Sequence, residues 1–511
     1  MINISKFRKC PTFLIYFDVS KAYDHVDNQD LLVTMWDKGL KGKAWRILSK
    51  LNTNLKARVK TRFGDTQTID MEIGGKQGSK LTGFMFGKMM DLLAEELQIS
   101  GEGVQITPEL IIAVLLWVDD VVACAEGTEN LENILRKIDE FAIKHKIKWG
   151  QEKCKVMRIG KHQDNIAEWK VGDMAIKETD RYKYLGDVIT NNGKNSENLS
   201  ERKTKVQSTT ITINTIASNE ILNKIETTVL LELHEKISIR SLLTNAESWC
   251  LSKGEEDELE KIEIKAIKYL FNLPIHTPTA AILFTFGIPY TKQRLDKMLL
   301  IYLHRILIRR DTDWTKMVLN TLKTLKIGWY KNIISKLEMY QLPTNFENIR
   351  NHGKNEWKHV ITKKIEEKDK ERLIEQCYKK VGEKSVPKTK TESIIKKLND
   401  PEYKRRPEPE ITGLSKQETR TLLMARFGML QCGKNYEGSI KQTCDTCKCL
   451  DDENHRLNTC IQWSHMNLYN CSKKIDFNLI YSSEMQSLKT IISAVGKIWD
   501  TRNGHGTMIS S

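Results

Sequence analysis

Residues 110–125 read LIIAVLLWVDDVVACA, two adjacent carboxylates, Asp119 and Asp120, inside a run that is otherwise almost wholly apolar. A continuous apolar run rich in Ile, Val and Leu reads as a strand buried on both faces. Aspartate is seldom buried alone, because stripping water from a carboxylate costs several kcal/mol. The stretch therefore predicts a strand–turn–strand hairpin with the acids at its tip. Such a pair marks either an ordinary turn or a site where a cation offsets the repulsion between the two charges.

A second stretch favours the cation. Residues 13–24 read FLIYFDVSKAYD, an apolar strand over Phe13 to Phe17 that delivers Asp18 at its end. Polar residues follow, then a helix over Asp27 to Leu40 with Leu31, Leu32, Met35 and Trp36 on one face and Gly39 as its stop. Strand ends hold side chains rigidly and still let them reach a ligand. Acids brought together from separate strands meet the needs of two-metal phosphoryl transfer, with carboxylate oxygens as shared hard ligands.

These residues resemble a family. FDVSKAYD is similar to the first catalytic motif of reverse transcriptases, and WVDD to their second. Between them GKQGSKLTGFMF, residues 75–86, resembles the glutamine–glycine motif. GQEKCKVM, residues 150–157, resembles the lysine-bearing motif, and YKYLG, residues 182–186, the primer-grip hairpin of non-LTR retrotransposon enzymes. Five motifs in the family's order make the resemblance specific over Phe13 to about Asn192. It implies an α+β fold, a polymerase palm with helices on one face of an antiparallel sheet, followed by an all-α thumb.

The resemblance also implies roles. Asp18 and Asp119 would be the principal ligands of two Mg²⁺, with Asp120 a secondary ligand or structural acid. Tyr23 would be the aromatic gate against a ribose 2′-hydroxyl; otherwise it is a helix-entry core aromatic. Gln77 and Gly78 would lie near the incoming nucleotide and template base. Lys153 would sit near the pyrophosphate; otherwise it is a solvated charge. The chain departs from the family at Trp117 (usually Tyr or Phe), Gly83 (commonly Pro), Gly150 (Asn) and Cys154 (Thr). None of these removes an acid.

The rest of the 511-residue chain fits the same reading. Lys and Arg total 81 against 66 Asp and Glu, a net charge of +15, which favours a polyanionic partner. Eleven scattered cysteines, with no signal peptide at the start, suit a reducing compartment, nucleus or cytoplasm. No apolar run approaches the roughly 18 residues of a membrane helix, so no membrane partner is expected. Residues 55–62, LKARVKTR, alternate as a half-exposed strand with a basic face, equally a track for nucleic acid or a solvated edge. Helices are expected over Ala44–Leu51 (Trp45 and Leu48 inward), Leu81–Leu97 (Met85, Met89, Leu92 and Leu93 as core) and Glu129–Lys146, with His145 as a polar C-terminal residue. Because Asp18 lies so near the start, the fingers that precede the first motif in the family are expected to be missing.

The expected organisation is a palm over 1–192, a helical thumb over 193–310 and a lysine-rich helical or linker region over 311–410. A helix with a zinc knuckle follows over 411–470, then a helix and tail over 471–511. In the thumb, Leu259, Ile262, Ala266, Tyr269 and Leu270 are read as the packing face of one helix and Trp249 as core. PEYKRRPEPE, residues 401–410, reads as a charged linker. Ser415 and Glu418 have the spacing of a capping box. Cys444, Cys447, His455 and Cys460, spaced C-x2-C-x7-H-x4-C, suit a closed tetrahedral Zn²⁺ site, with Cys449 an alternative to Cys447. The spacing resembles the knuckle downstream of non-LTR polymerases; Arg456, Trp463 and His465 would serve single strands. No proline–aspartate plus acid–x–lysine arrangement follows, so target nicking is not expected.

The activity implied is RNA-directed DNA synthesis, with an RNA template, a DNA primer and dNTPs as partners and the oligomeric state open. The alternatives are a catalytically inactive, polymerase-derived nucleic-acid binder and a maturase-like RNA-binding factor.

Overall fold

Why an apolar run at Phe13 should have no polar side is answered by the sheet around it. In the computed structural model β1 (Thr12–Asp18) is a central strand, covered on both faces. The structure describes all residues except 72, 76–78, 161–167, 218–224, 383–387, 401–402, 428, 431–442, 445, 461–476, 482–483 and 501–511. Contacts divide the chain into one unit of Met1–Asn198 with Arg309–Asn332 and another of Leu199–Ile308 with Ile333–Ser511.

In the first unit, α1 (Ile2–Arg8) leads into β1, then α2 (Ala22–His25), α3 (Asn28–Asp37) and α4 (Gly42–Asn52). A ribbon of short strands follows: β2 (Leu55–Ala57), β3 (Lys60–Thr61), β4 (Gly64–Asp65) and β5 (Ile69–Met71). After α5 (Lys80–Ser100) come the hairpin β6 (Val104–Thr107) and β7 (Leu110–Ile112), then β8 (Val114–Trp117), β9 (Asp120–Glu126) and α6 (Thr128–Lys144). The unit continues with β10 (Lys155–Ile159), β11 (Trp169–Val171), β12 (Met174–Glu178) and the hairpin β13 (Arg181–Tyr184) and β14 (Asp187–Thr190). The main sheet runs β11-β12-β10-β1-β9-β8, antiparallel except for the β10–β12 pair.

Alternation along β1 explains its composition. Phe13, Ile15 and Phe17 join a core with the buried faces of α3, α5 and α6, including Leu31, Met85, Met89, Leu93, Ile134 and Ile138. Tyr16 points the other way and stacks on Tyr182 of β13, ring centroids 4.0 Å apart. The apolar run before the acids is instead split into two strands, because Leu110–Ile112 pairs with β6 and Val114–Trp117 with β9.

Several helix readings are refined. Asp27 caps α3 by accepting from the Gln29 and Asp30 amides. Trp36, expected inward, is 44% exposed. It lies beside Trp45 with the Lys41 ammonium 3.8 Å above its ring. His145 is no simple surface cap: it is buried, and its Nδ1 lies 2.7 Å from Asp30 Oδ2. That partner is 115 residues away, so helix periodicity could not reveal it.

The second unit is helical throughout its described residues, apart from isolated β-bridges. The helix Lys253–Leu270 opens on a capping box between Ser252 and Glu255. Its Leu259, Ile262, Ala266 and Leu270 are buried as expected, as is Trp249, whereas Tyr269 is 50% exposed. Ser415 and Glu418 form the expected capping box of the helix Lys416–Arg426. Charges are buried here, and they are paired: Lys336 lies 2.7 Å from Glu256 and 2.9 Å from Asp296, whose carboxylate also accepts from Tyr340 at 2.7 Å. Removing one member of such a set strands the others, which is the costly case.

Residues 403–410 do not behave as a solvated linker. Arg405 pairs with the buried Asp369 at 2.9 Å, and Lys397 with the buried Glu408 at 2.8 Å. Gly287, at φ +65°, allows the crossing, since a Cβ there would lie 2.1 Å from the Arg406 carbonyl carbon. Charge-rich composition reads as solvated unless the distant partners are known. Among the described residues no helix is long and apolar enough to cross a membrane.

Candidate active site

The two acidic stretches meet through backbone pairing. β9 lies antiparallel to β1 in a register that places Asp120 opposite Asp18. Between β8 and β9 the chain reverses over Val118 and Asp119, with Trp117 paired to Asp120. Val118 adopts φ +59° there, an uncommon conformation for a β-branched residue and a point of local strain. Trp117 is exposed beside the turn.

A third segment closes the site. Val19 bridges Trp149, the Ser20 amide donates to Lys148 O at 2.8 Å, and the Gly150 amide donates to Asp18 O at 2.9 Å. The turn from Gly150 to Lys153 then aims Lys153 Nζ at both Asp18 carboxylate oxygens, 3.0 and 2.9 Å away. A Cβ on Gly150 would sit 3.5 Å from Asp18 Oδ2, so glycine in place of the family's Asn relieves no clash. An open cleft of about 570 Å³ results, lined by Asp18, Lys21, Tyr23, Asp119 and Lys153 among others.

Electrostatics bind these groups into one cluster. Burial, then the charges of Asp119 and Asp18, push the Asp120 carboxyl above its ordinary range, opposed by Lys153. The hydrogen bond to Asp18 is the main reason the Lys153 ammonium holds its proton more tightly than usual. Asp18 at the end of β1, Asp119 in the turn and Asp120 at the start of β9 supply carboxylate oxygens, the donor type that suits a hard divalent cation.

Tyr23 forms one wall. Its ring is tilted against Phe86 at 6.0 Å between centroids, and its carbonyl accepts from the Gly75 amide at 2.6 Å. A Cβ on Gly83 would come 3.4 Å from the Tyr23 hydroxyl, so this departure from the family bears directly on that ring. Gln77 and Gly78 lie outside the described residues. Beside the acids Tyr182 and Tyr184 of the YKYLG motif cluster with Tyr16 of β1, a contact that motif reading did not reveal. Burial, followed by the charges of Asp18, Cys154 and Asp120, pushes the Tyr182 hydroxyl up to about 12. Alternating aromatics at 182 and 184 were the available signal, but their partner on β1 was not.

The cysteine–histidine cluster also assembles. Ligand atoms of Cys444, Cys447, His455 and Cys460 all lie within 4.8 Å of one another. The Cys444–Cys460 and Cys447–Cys460 sulfur separations are 3.7 and 3.9 Å. Zinc–thiolate bonds of about 2.3 Å at tetrahedral angles require an edge of roughly 3.8 Å. Burial pushes the Cys444 thiol up, but hydrogen bonds from the Cys447 amide, His455, the Thr446 amide and Cys460 outweigh it and bring it down to about 6. Cys449 is not among the four, although its Sγ lies 3.1 Å from His455 Nδ1. Arg456, expected to face nucleic acid, is instead buried and paired bidentately with Asp451. Trp463 and His465 lie outside the described residues.

Comparison with known proteins finds a family match within the first unit. Residues 3–189 match the family described as reverse transcriptase (RNA-dependent DNA polymerase). Over 203 residues the chain is 26% identical to a Nasonia vitripennis protein named "Retrovirus-related Pol polyprotein from type-1 retrotransposable element R2", covering 38% of this chain and 20% of that one. The chain thus spans about a fifth of the length of this curated relative. Among solved structures, apo telomerase from Candida tropicalis aligns at 14% identity and a TM-score of 0.31, over 70% of this chain and 54% of that one. Telomerase of the same organism with a fragment of telomeric RNA gives 14% and 0.29, over 76% and 49%.

Proposed function

Since residues 3–189 belong to the reverse transcriptase family and resemble its non-LTR retrotransposon members, we propose that this chain is an RNA-directed DNA polymerase that extends a primer 3′-hydroxyl with dNTPs. The observation that carries the reading is the register of β1 against β9, which brings Asp18 to the acidic hairpin tip beside an open cleft. Asp18 and Asp119, with Asp120 as a secondary ligand, would hold two Mg²⁺, which when bound lower the cost of deprotonating the primer hydroxyl and of releasing pyrophosphate.

The chain's own groups do the rest. Lys153 is 66% exposed at its side chain and hydrogen-bonded to Asp18. Turned toward the leaving pyrophosphate, its ammonium donates a hydrogen bond or proton there. Tyr23, braced by Phe86, stands where a ribose 2′-hydroxyl would collide with its ring. Gln77 and Gly78 are assigned to the nucleotide and template base, the glycine because backbone must approach closely there.

In the second unit, Cys444, Cys447, His455 and Cys460 are assigned to one structural Zn²⁺, supported by sulfur spacings that fit a zinc tetrahedron. The described cysteines are all free thiols, in keeping with a nuclear or cytoplasmic setting.

Primer extension on an RNA template tests the reading, comparing the natural chain with Asp18→Asn and Asp119→Ala. Both substitutions should reduce extension by about three orders of magnitude or more while RNA binding persists. Equal extension by all three chains, or none by any, removes the proposal; binding without extension would leave a polymerase-derived binder.

A further inference from the structure

The ribbon from Leu55 to Met71 holds none of the cleft's acids, yet its root is stitched to the cleft wall. Ile73 bridges Asp27, the Gly74 amide donates to Val26 O at 2.9 Å, and the Gly75 amide donates to Tyr23 O at 2.6 Å. Gly74 needs its φ of +94° to make that close approach, since a Cβ there would lie 3.0 Å from Asp24 O. Whatever enters beside Tyr23 therefore passes the base of the ribbon.

Beyond the root the ribbon stands in solvent. β2 pairs with β5 and β3 with β4, and every residue from Arg58 to Asp70 is exposed. Registers of Ala57↔Ile69 and Lys60↔Asp65 leave one extra residue on the return strand, a bulge that increases twist. An isolated two-stranded ribbon is at best marginally stable in water. This one nevertheless leaves Val59, Ile69 and Phe63 uncovered, with Phe63 at the tip 91% exposed.

Its chemistry points to one kind of occupant. Lys56, Arg58, Lys60 and Arg62 recur at every second position along the outgoing half of the ribbon, and all four are exposed. Lys56 and Arg58 have acidic neighbours, Asp70 at 3.6 Å and Asp65 at 3.7 Å. Both pairs are exposed and contribute little. Lys60 and Arg62 have no ion-pair partner among the described residues, and the Arg62 guanidinium lies 5.3 Å from the centre of the Phe63 ring. Cations in a row beside a bare aromatic ring are what an unpaired strand requires: phosphates to neutralise and a base to stack. A duplex would offer phosphates but no free base face.

We propose that the ribbon is an arm for single-stranded nucleic acid, with Phe63 stacked on an unpaired base and Lys60 and Arg62 on phosphates of the same strand. This rests on the polymerase reading, in which that strand is the template approaching the cleft.

Fluorescence anisotropy with the full chain tests it, using a labelled 20-nucleotide oligo-U RNA and an RNA–DNA duplex of about the same length. Base–aromatic stacking is worth about 1–3 kcal/mol, so Phe63→Ala should weaken oligo-U binding about 5- to 150-fold. Phe63→Trp should restore it, and duplex binding should change less than about twofold in either chain. Replacing Lys60 and Arg62 together with Gln should reduce the salt slope of oligo-U binding by about 1.4. Unchanged affinity and slope in these variants overturn the proposal, as does sedimentation showing that Phe63→Ala alters self-association instead. Binding needs no chemistry, so the two readings fail separately. Loss of extension with intact ribbon-dependent binding removes only the polymerase, whereas normal extension with ribbon-independent binding removes only the arm.

Discussion

At the scale of single residues, the contrast between Tyr23 and Arg456 shows what a motif carries. Tyr23 was read as a gate from its place after Asp18, and the fold gives that place a physical form, a ring braced by Phe86 on the wall of the cleft. If the gate acts sterically, Tyr23→Ala should raise ribonucleotide use relative to deoxyribonucleotide use by about ten- to a hundredfold. Primer extension with matched rNTPs and dNTPs measures this, and an unchanged ratio rejects the gate. Arg456 lies between His455 and Cys460, where a cation invites a nucleic-acid role. Its guanidinium is instead spent on Asp451, five residues earlier, inside a buried pair. Spacing can nominate a cation but cannot say whether an acid folds back onto it.

At the scale of elements, helices with a sustained apolar stripe were legible and pieces without one were not. The α6 stripe of Leu131, Ile134, Leu135, Ile138, Phe141 and Ala142 is buried throughout. In contrast α2, four residues long, has too little length for any period to show. The metal cluster is an element-scale matter too. Cys444 and Cys447 belong to a turn bridged at Thr443 and Leu450, while His455 and Cys460 flank the short helix Glu453–Asn458. If Zn²⁺ ties the two, the purified chain should carry about one zinc per molecule by elemental analysis. Cys460→Ser or chelation should then lower the melting temperature by at least about 3 °C. No zinc in the purified chain, or no shift on chelation, removes the assignment.

At the scale of the whole molecule, stability should respond to acid through a residue of the second unit. His234 is buried, and among the described residues neither ring nitrogen has a hydrogen-bond partner. Burial, reinforced by Arg294, lowers its pKa from 6.5 to about 4. The unfolded imidazole protonates near 6.5 and the folded one only near 4, so between these values the unfolded state binds more protons and stability is lost as the pH is lowered. The contribution is complete above pH ~6.5, and about 2 kcal/mol of it should be lost by pH 5. Urea unfolding at pH 7 and pH 5 reads the difference, which His234→Leu should abolish; an equal pH response in both chains refutes it. Charge acts at this scale as well: the net +15 pointed to a polyanionic partner, but composition could not say that Lys56, Arg58, Lys60 and Arg62 would stand exposed on one ribbon.

The acids, their strands, the amphipathic helices and the metal-ligand spacing could be read directly, because hydrophobic period and side-chain chemistry are local properties of the chain. Only folding decided that β1 pairs with β9 so that Asp18 faces Asp120, that Lys153 closes on Asp18, that Arg405 and Glu408 turn inward and that Phe63 stays outside. Each of these depends on a partner 11 to 135 residues away, or on the lack of one. Burial and pairing are energies of the assembled molecule, and no window of sequence contains them.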